Sequence, residues 1–488
     1  MKVQGILIAS LLCGIALAQN EQHRVTKIPG IDIEFKSRWY SGYYNVTTYQ
    51  QRHYLFIESL NKPETDPVLV FFNGGPGAAS IMVAFGYNSP IVVKSRVTFE
   101  ADFQENPHTW CNNASVLFID NPADVGYSYA EREKDAHTND FSFARDILTF
   151  MLAFYGDWPS LYNNPLYIVG ISYGGNYAPY TTWALHQYNQ ELKLDASTSK
   201  KPFPLKGFIA ANGVTDFETD PYIQTVDAYN AHNALPLALF KQWKENGCRV
   251  YWQGVKPDRL PGPCKELAQK ISDNVGHMYI YDMLTMNEEL KPASERNTTH
   301  LQSTRQNIQD ISRIIKDHRF KQFMDAPACD GEGILQQSNG MNIIEWLNST
   351  EVKTALHVNP KKTNFTMISE TAFVNFHSGR ESSRWIYEQL VHYGYKLMHL
   401  MGDTDAILSL PGAWQWIKAM NLPVTREWTP WLSVRDEGQL VGYLKEYSKN
   451  FTLVTVHGSG HDALNSKDSE VPQLIRNFIF DLPIPPTS

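Results

Sequence analysis

Long apolar runs, basic clusters and cysteines are what this chain of 488 residues has least of. Beyond its N-terminus no segment approaches 18 unbroken apolar residues, about the length a helix needs to span a bilayer, so no membrane-spanning element is expected. Acidic residues outnumber basic ones, 51 to 43, for a formal net charge of −8. No basic stripe is readable, and binding to nucleic acid or to an anionic membrane surface is not expected. Only five cysteines occur. None lies in a Cys-x-x-Cys pair, so zinc is the poorer reading and no metal or other cofactor is expected. Internal repeats and low-complexity tracts are missing as well.

What is present is a globular composition, 43% hydrophobic and 19% charged, ample for a large core. Lys2, an apolar run over residues 6–17 and the step Ala16-Leu17-Ala18 have the form of a secretory signal, residues 1–18, cleaved after Ala18. Sequons at Asn45, Asn113, Asn297, Asn348, Asn364 and Asn450 suit a glycosylated protein of the secretory route. The expected destination is the cell exterior or a lysosome- or vacuole-like compartment. Cys13 leaves with the signal. The other four cysteines allow three pairings in an oxidising compartment. Cys248 and Cys264 flank a Pro/Gly-rich segment and are the favoured bridge; Cys111 and Cys329 are bridged or free.

Apolar runs at residues 68–72, 115–120, 165–169, 205–211, 396–401 and 451–456 read as buried strands, and residues 39–59 alternate in strand fashion. Residues 141–155 have helical spacing, with Ile147, Phe150, Met151 and Phe154 on one face. Residues 474–480 look like a terminal helix. Strands separated by helices predict an α/β fold: a mostly parallel sheet covered on both faces. Residues 215–347 change character, polar, helix-leaning and cysteine-bearing, and read as a helical insertion, a lid over the site. The mature chain, residues 19–488, is then one α/β domain with that insertion.

The stretch Gly170-Ile171-Ser172-Tyr173-Gly174-Gly175 follows one of the buried strands and precedes a helical segment. Strand, Gly-x-Ser-x-Gly, helix is the nucleophile-elbow pattern of α/β-hydrolases. Small flanking residues let the chain turn sharply and expose the hydroxyl, and the helix N-terminus favours developing negative charge. A chance match in a loop is the plain alternative, so the serine needs partners. In this fold they follow in the order acid, then histidine. The strand at 396–401 opens into Gly402-Asp403-Thr404-Asp405-Ala406, and the strand at 451–456 into His457-Gly458-Ser459-Gly460-His461-Asp462. Both groups sit beyond strand carboxyl ends, where sites of open α/β sheets gather. Asp405 and His461 are assigned as orienting acid and base. Asp403 is the rival acid, read instead as a cap for backbone amides. His457 is the rival base, nearer the strand end. For the oxyanion, Asn73-Gly74-Gly75-Pro76-Gly77 follows a buried strand and can bring bare N–H groups near substrate, and the Tyr173 amide supplies the second donor.

With these residues in place the chain resembles the serine carboxypeptidase family. Phe72 to Ser80 resembles its Asn-Gly-Gly-Pro-Gly block, Asp120 to Tyr129 its "NPxGVGFSY" block, and Gly170 to Gly175 its Gly-Glu-Ser-Tyr-Gly-Gly apart from Ile171. Leu205-Lys206-Gly207, Asn212 to Asp216, Gly402 to Ala406 and Gly458 to His461 are also typical, in order from about Val25 to Leu482. The resemblance implies an α/β-hydrolase fold and removal of single residues from peptide or protein C-termini through an acyl-enzyme, at acidic pH, without a cofactor. Ser172 would be nucleophile, His461 base and then acid, Asp405 its orienter, and the Gly75 and Tyr173 amides the oxyanion donors. Asn73 and Gly74 match positions that bind the substrate's terminal carboxylate. A monomer or homodimer is expected.

Four departures stand out. The family's two carboxylate-binding glutamates fall on Ile171 and, counting without gaps, on Tyr87. Tyr87 can donate one hydrogen bond; Ile171 cannot. Losing one such bond to a charged group costs ~1.5–3 kcal/mol. The cysteine after Gly-Pro-Gly is Ala78, which removes one long-range disulfide. After the histidine the family's Met-Val-Pro is Asp462-Ala463-Leu464. Asp462 either favours the imidazolium beside it or faces solvent, the reading preferred here. Three functions therefore compete: a carboxypeptidase with altered carboxylate recognition, a carboxypeptidase-like acyltransferase or esterase, and a non-catalytic homologue.

Overall fold

The structure is a computed structural model that describes residues 21–95, 100–132, 135–195, 197–220, 223–249, 262–276, 278–286, 341–378, 382–433, 435, 438–448 and 450–484. The expected signal segment, Cys329 and Asn297 lie outside the described residues. The chain forms two compact units. The first comprises Met1–Gly170, Tyr177–Phe208 and Asn339–Ser378, the second Ile171–Asn176, Ile209–Ser338 and Gly379–Ser488.

In the first unit the longer strands of the main sheet are β1 (Trp39–Thr47), β2 (Gln50–Ile57), β3 (Val68–Phe72), β4 (Ser115–Ile119), β5 (Leu166–Ile171) and the start of β6 (Leu205–Ala211), in the hydrogen-bonded order β1-β2-β4-β3-β5-β6. β3 pairs parallel with both β4 and β5, and β1–β2 and β2–β4 are antiparallel. β3, β4 and β5 are buried at every position, as strands covered on both faces must be. Helix α1 (Asp140–Asp157) begins at a capping box between Asn139 and Ser142. Its Ile147, Phe150, Met151 and Phe154 are all fully buried, the face its spacing predicts. Phe150 and Phe154 pack edge-on against Tyr44, Tyr54 and Phe56. Helix α2 (Gly174–Leu194) follows β5.

In the second unit the segment expected to be a helical insertion contributes α3 (Thr225–Ala231), α4 (Leu237–Glu245) and α5 (Gly262–Val275). It also forms a hairpin of β7 (Met278–Tyr279) and β8 (Asp282–Met286), which its polar pattern does not announce. Cys248 and Cys264 are bridged. Cys111, in the first unit, is a buried free thiol. The sheet of this unit runs from the end of β6 to β9 (Lys396–Gly402), then β12 (Phe451–Val456), β11 (Leu440–Tyr447) and β10 (Val424–Leu432). β9 and β12 are parallel in register Gly402↔Val456, while β12–β11 and β11–β10 are antiparallel. Helices α6 (Arg384–His392), α7 (Leu410–Ala419) and α8 (Glu470–Ile479) complete the unit. α8 starts earlier than the expected 474–480 because Val471 is buried as well as Leu474 and Ile475. Among the described residues no helix is long and apolar enough to cross a membrane.

Candidate functional site

Ser172 stands at the end of buried β5 with φ +60°, in the left-handed region, a conformation of order 1–3 kcal/mol above the usual ones for a residue with a side chain. The surrounding backbone holds it there. Its N–H donates to Ala211 O (3.1 Å), and its carbonyl accepts from Gly175 N (2.9 Å) and Val214 N (3.0 Å). The tight approach requires glycine on both sides: a Cβ on Gly213 would lie 2.8 Å from Gly175 Cα. Ser172 remains partly exposed, while Ile171 and Tyr173 beside it are buried. The chain enters α2 immediately after Tyr173.

Asp405 and His461 come together from loops that leave adjacent parallel strands at one end. Asp405 Oδ2 lies 2.7 Å from His461 Nδ1. The carboxylate is fully buried and its remaining bonds are backbone or amide donors: Ile407 N (2.9 Å) and Leu408 N (3.2 Å) to Oδ1, and Asn212 Nδ2 (2.9 Å) to Oδ2. Asn212 in turn accepts Gly402 N at Oδ1 (2.9 Å). With Nδ1 given to the carboxylate, Nε2 is the nitrogen that His461 has for proton transfer. The histidine is fixed from the hairpin too: His461 N donates to Tyr281 O (2.7 Å), and the Tyr281 ring meets the imidazole edge-on, centroids 4.9 Å apart.

The rivals also pair. Asp403 Oδ2 lies 2.7 Å from His457 Nδ1, and Asp403 Oδ1 accepts Gly458 N (2.8 Å), the backbone-capping role its position suggests. The two pairs differ in exposure. Asp405 and His461 side chains are 0% and 16% exposed, Asp403 and His457 19% and 62%. Asp462 turns to Asn465, accepting its Nδ2 at 2.6 Å.

The remaining expected residues belong to the first unit. Asn73 spends its side chain internally, Oδ1 accepting Gly74 N (2.8 Å) and Nδ2 donating to Ala79 O (3.0 Å). The Gly74 N–H is therefore already committed, whereas Gly75 is exposed, with φ +108°. Tyr87 is half-buried on the turn Ala84–Asn88. Of the sequons, Asn45, Asn364 and Asn450 are exposed; Asn113 and Asn348 are half-buried. The Asn348 amide bonds Ile344 O and Phe365 N.

The sequence profile of the serine carboxypeptidases matches residues 29–481. The chain belongs to the serine carboxypeptidase family. Among its relatives, "Serine carboxypeptidase-like 21" of Arabidopsis thaliana is 26% identical, over 97% of each chain. "Serine carboxypeptidase 1" of Hordeum vulgare is 26% identical, over 91% of this chain and 90% of the relative. The crystal structure of Kex1(delta)p, a prohormone-processing carboxypeptidase from Saccharomyces cerevisiae, superposes with a TM-score of 0.68 over 95% of this chain and 96% of that one, at 15% identity, which establishes the α/β-hydrolase fold. Two residues of the candidate site escape a reading of the chain alone: Asn212, whose Asn-Gly dipeptide is visible at a strand end but carries no role there, and Tyr281, inside the expected insertion.

Proposed function

We propose that the protein is a serine-type carboxypeptidase that removes the last residue of a peptide through an acyl-enzyme. Ser172 Oγ attacks the final peptide carbonyl as His461 Nε2 takes its proton. The same nitrogen protonates the departing amine, and a water then hydrolyses the ester on Ser172. Asp405 orients His461 and stabilises its imidazolium. The Gly75 and Tyr173 amides are the proposed oxyanion donors, and Asn73 and Gly74, with Tyr87, the proposed carboxylate contacts, the first two only if substrate displaces the Asn73 Oδ1–Gly74 N and Asn73 Nδ2–Ala79 O bonds. The observation that supports this reading is the buried, fully satisfied Asp405 carboxylate 2.7 Å from His461 Nδ1. Passage through the secretory route, with glycans on exposed sequons, fits the Cys248–Cys264 bridge.

A second reading, transfer of the acyl group to another acceptor or ester hydrolysis, is favoured by one residue. Ile171, where the family carries a glutamate, is buried and offers no hydrogen bond to a carboxylate. Blocked dipeptides with free or amidated C-termini, assayed from pH 4 to 8, separate the readings. Cleavage of the free acid, lost in Ser172→Ala, is the expected result. Equal turnover of esters and amides without preference for a free carboxylate supports the second reading, and Ile171→Glu is then expected to raise free-acid preference in acid. No labelling by an organophosphonate probe overturns both.

A further inference from the structure

Two Asp–His pairs stand at the ends of β9 and β12, and acyl transfer needs one. We infer that Asp403 is a positioning residue: through the His457–Gly458 turn it sets where the His461 imidazole stands. This rests on reading Ser172, Asp405 and His461 as the triad. The parallel register ends at Gly402↔Val456. One step beyond, Asp403 N donates to Val456 O (3.2 Å), and Asp403 then gives both carboxylate oxygens to a single turn, Oδ2 to His457 Nδ1 and Oδ1 to Gly458 N. Gly458 has φ +67°. The turn continues in step with the acid loop, Thr404 N donating to Ser459 O (3.0 Å). The loops are so close that a Cβ on Gly402 would collide with the Ser459 and Gly460 carbonyls. The backbone leading to His461 is therefore held by Asp403 on one side and, at His461 N, by Tyr281 O on the other.

The exposure of the pair separates this role from two others. A base is better served by the buried pair, where water does not screen the carboxylate. A pair as exposed as Asp403–His457 contributes little to stability, so its removal is expected to show in rate rather than in melting. Among the described residues, His457 pairs with Asp403 at Nδ1 and donates its N–H to the Val441 carbonyl, and Leu284 would lie 3.8 Å from a Cβ on the neighbouring Gly458.

The test uses the full-length glycosylated protein and a blocked dipeptide ester. Asp403→Ala is expected to lower kcat about 10- to 100-fold with KM within about twofold of wild type, the cost of roughly 1 Å of misplacement at a reacting group. Its thermal midpoint is expected to be unchanged. Asp403→Asn keeps an oxygen for Gly458 N–H and an N–H for neutral His457, and is expected to restore most of the rate. His457→Gln, a surface exchange that leaves the Gly458 bond in place, is expected to lose less than Asp403→Ala. Wild-type kcat in Asp403→Ala, a KM change that accounts for the whole loss, or no rescue by Asn overturns the proposal. So does activity surviving His461→Ala but not His457→Ala. An inactive, unlabelled wild type instead sinks the triad reading beneath it, a result distinguishable because it appears before any variant is made.

Discussion

Asn212 ties three stretches of chain together with one amide. Its φ of +36° turns the chain as it leaves β6, its Nδ2 reaches Asp405 and its Oδ1 takes the Gly402 N–H. Asn212→Ala leaves the buried Gly402 donor without that acceptor and strips one donor from Asp405. The expected cost is about 1–3 kcal/mol of stability and about 10- to 100-fold in kcat, read by denaturant unfolding and single-substrate kinetics; an unchanged kcat would show that Ile407 and Leu408 suffice to hold Asp405. This residue marks the limit of what the chain reveals by itself. Ser172, Asp405 and His461 are legible because each follows a hydrophobic strand and they occur in a fixed order. The Asn212–Asp405 bond joins residues 193 apart, and no local pattern announces such a pairing. Ile171 is the reverse case: its departure from the family is visible in sequence, and the structure adds that the position is buried.

At the scale of elements, the closest constraint is where the start of α2 meets the exit of β6. A Cβ on Gly175 would overlap the Cα of Gly213, and both atoms are backbone. Gly175→Ala must therefore push the helix start away from the strand end and carry Ser172 with it. Overpacking of this kind costs about 1–3 kcal/mol or more. The expected result is a lowered thermal midpoint together with loss of organophosphonate labelling; retained labelling at the wild-type rate would show that the elbow tolerates the shift. The elements that sequence reveals are those with simple burial: β3, β4, β5, β6, β9 and β12 read as apolar runs, and α1 as a single apolar face. β10 is hidden because it ends the strand order, and β11, which lies between β10 and β12, because only four of its eight residues are buried. β10 buries only Trp431 among its nine residues and contains Pro430, so neither an apolar run nor clean alternation marks it. The β7–β8 hairpin is too short and too polar to register, yet Ile280, Tyr281 and Met283 hydrogen-bond both loops of the candidate site.

For the whole molecule, buried titratable groups set how stability changes with pH. Burial, reinforced by Asp216 and Asp405, pushes the Asp220 carboxyl up to about 8 against backbone donors from Asp216 and Thr215. The folded protein then keeps a proton that the unfolded chain releases above about pH 4, so stability falls as pH rises towards 8. Burial pushes His53 and His399 down to about 3. The unfolded chain protonates them below about 6.5 while the folded one does not, so their contribution is lost as pH falls from 6.5 towards 3. Between pH 6.5 and 8 the histidines are neutral in both states and Asp220 acts without their opposing effect. Asp220→Asn is therefore expected to flatten the fall of the thermal midpoint over that window, and parallel wild-type and variant curves would refute the assignment. The order of the site along the chain has a consequence in time. Ser172 precedes Asp405, and Asp405 precedes His461 by 56 residues; at about 5–20 residues per second of synthesis, that last interval alone lasts roughly 3–11 s. β12, which carries the histidine loop, enters between β9 and β11. If Ser172 and His461 act as proposed, a nascent chain holds its nucleophile without a base until the ribosome has delivered that strand, and hydrolytic capacity is withheld from the growing polypeptide by the order in which its parts are made.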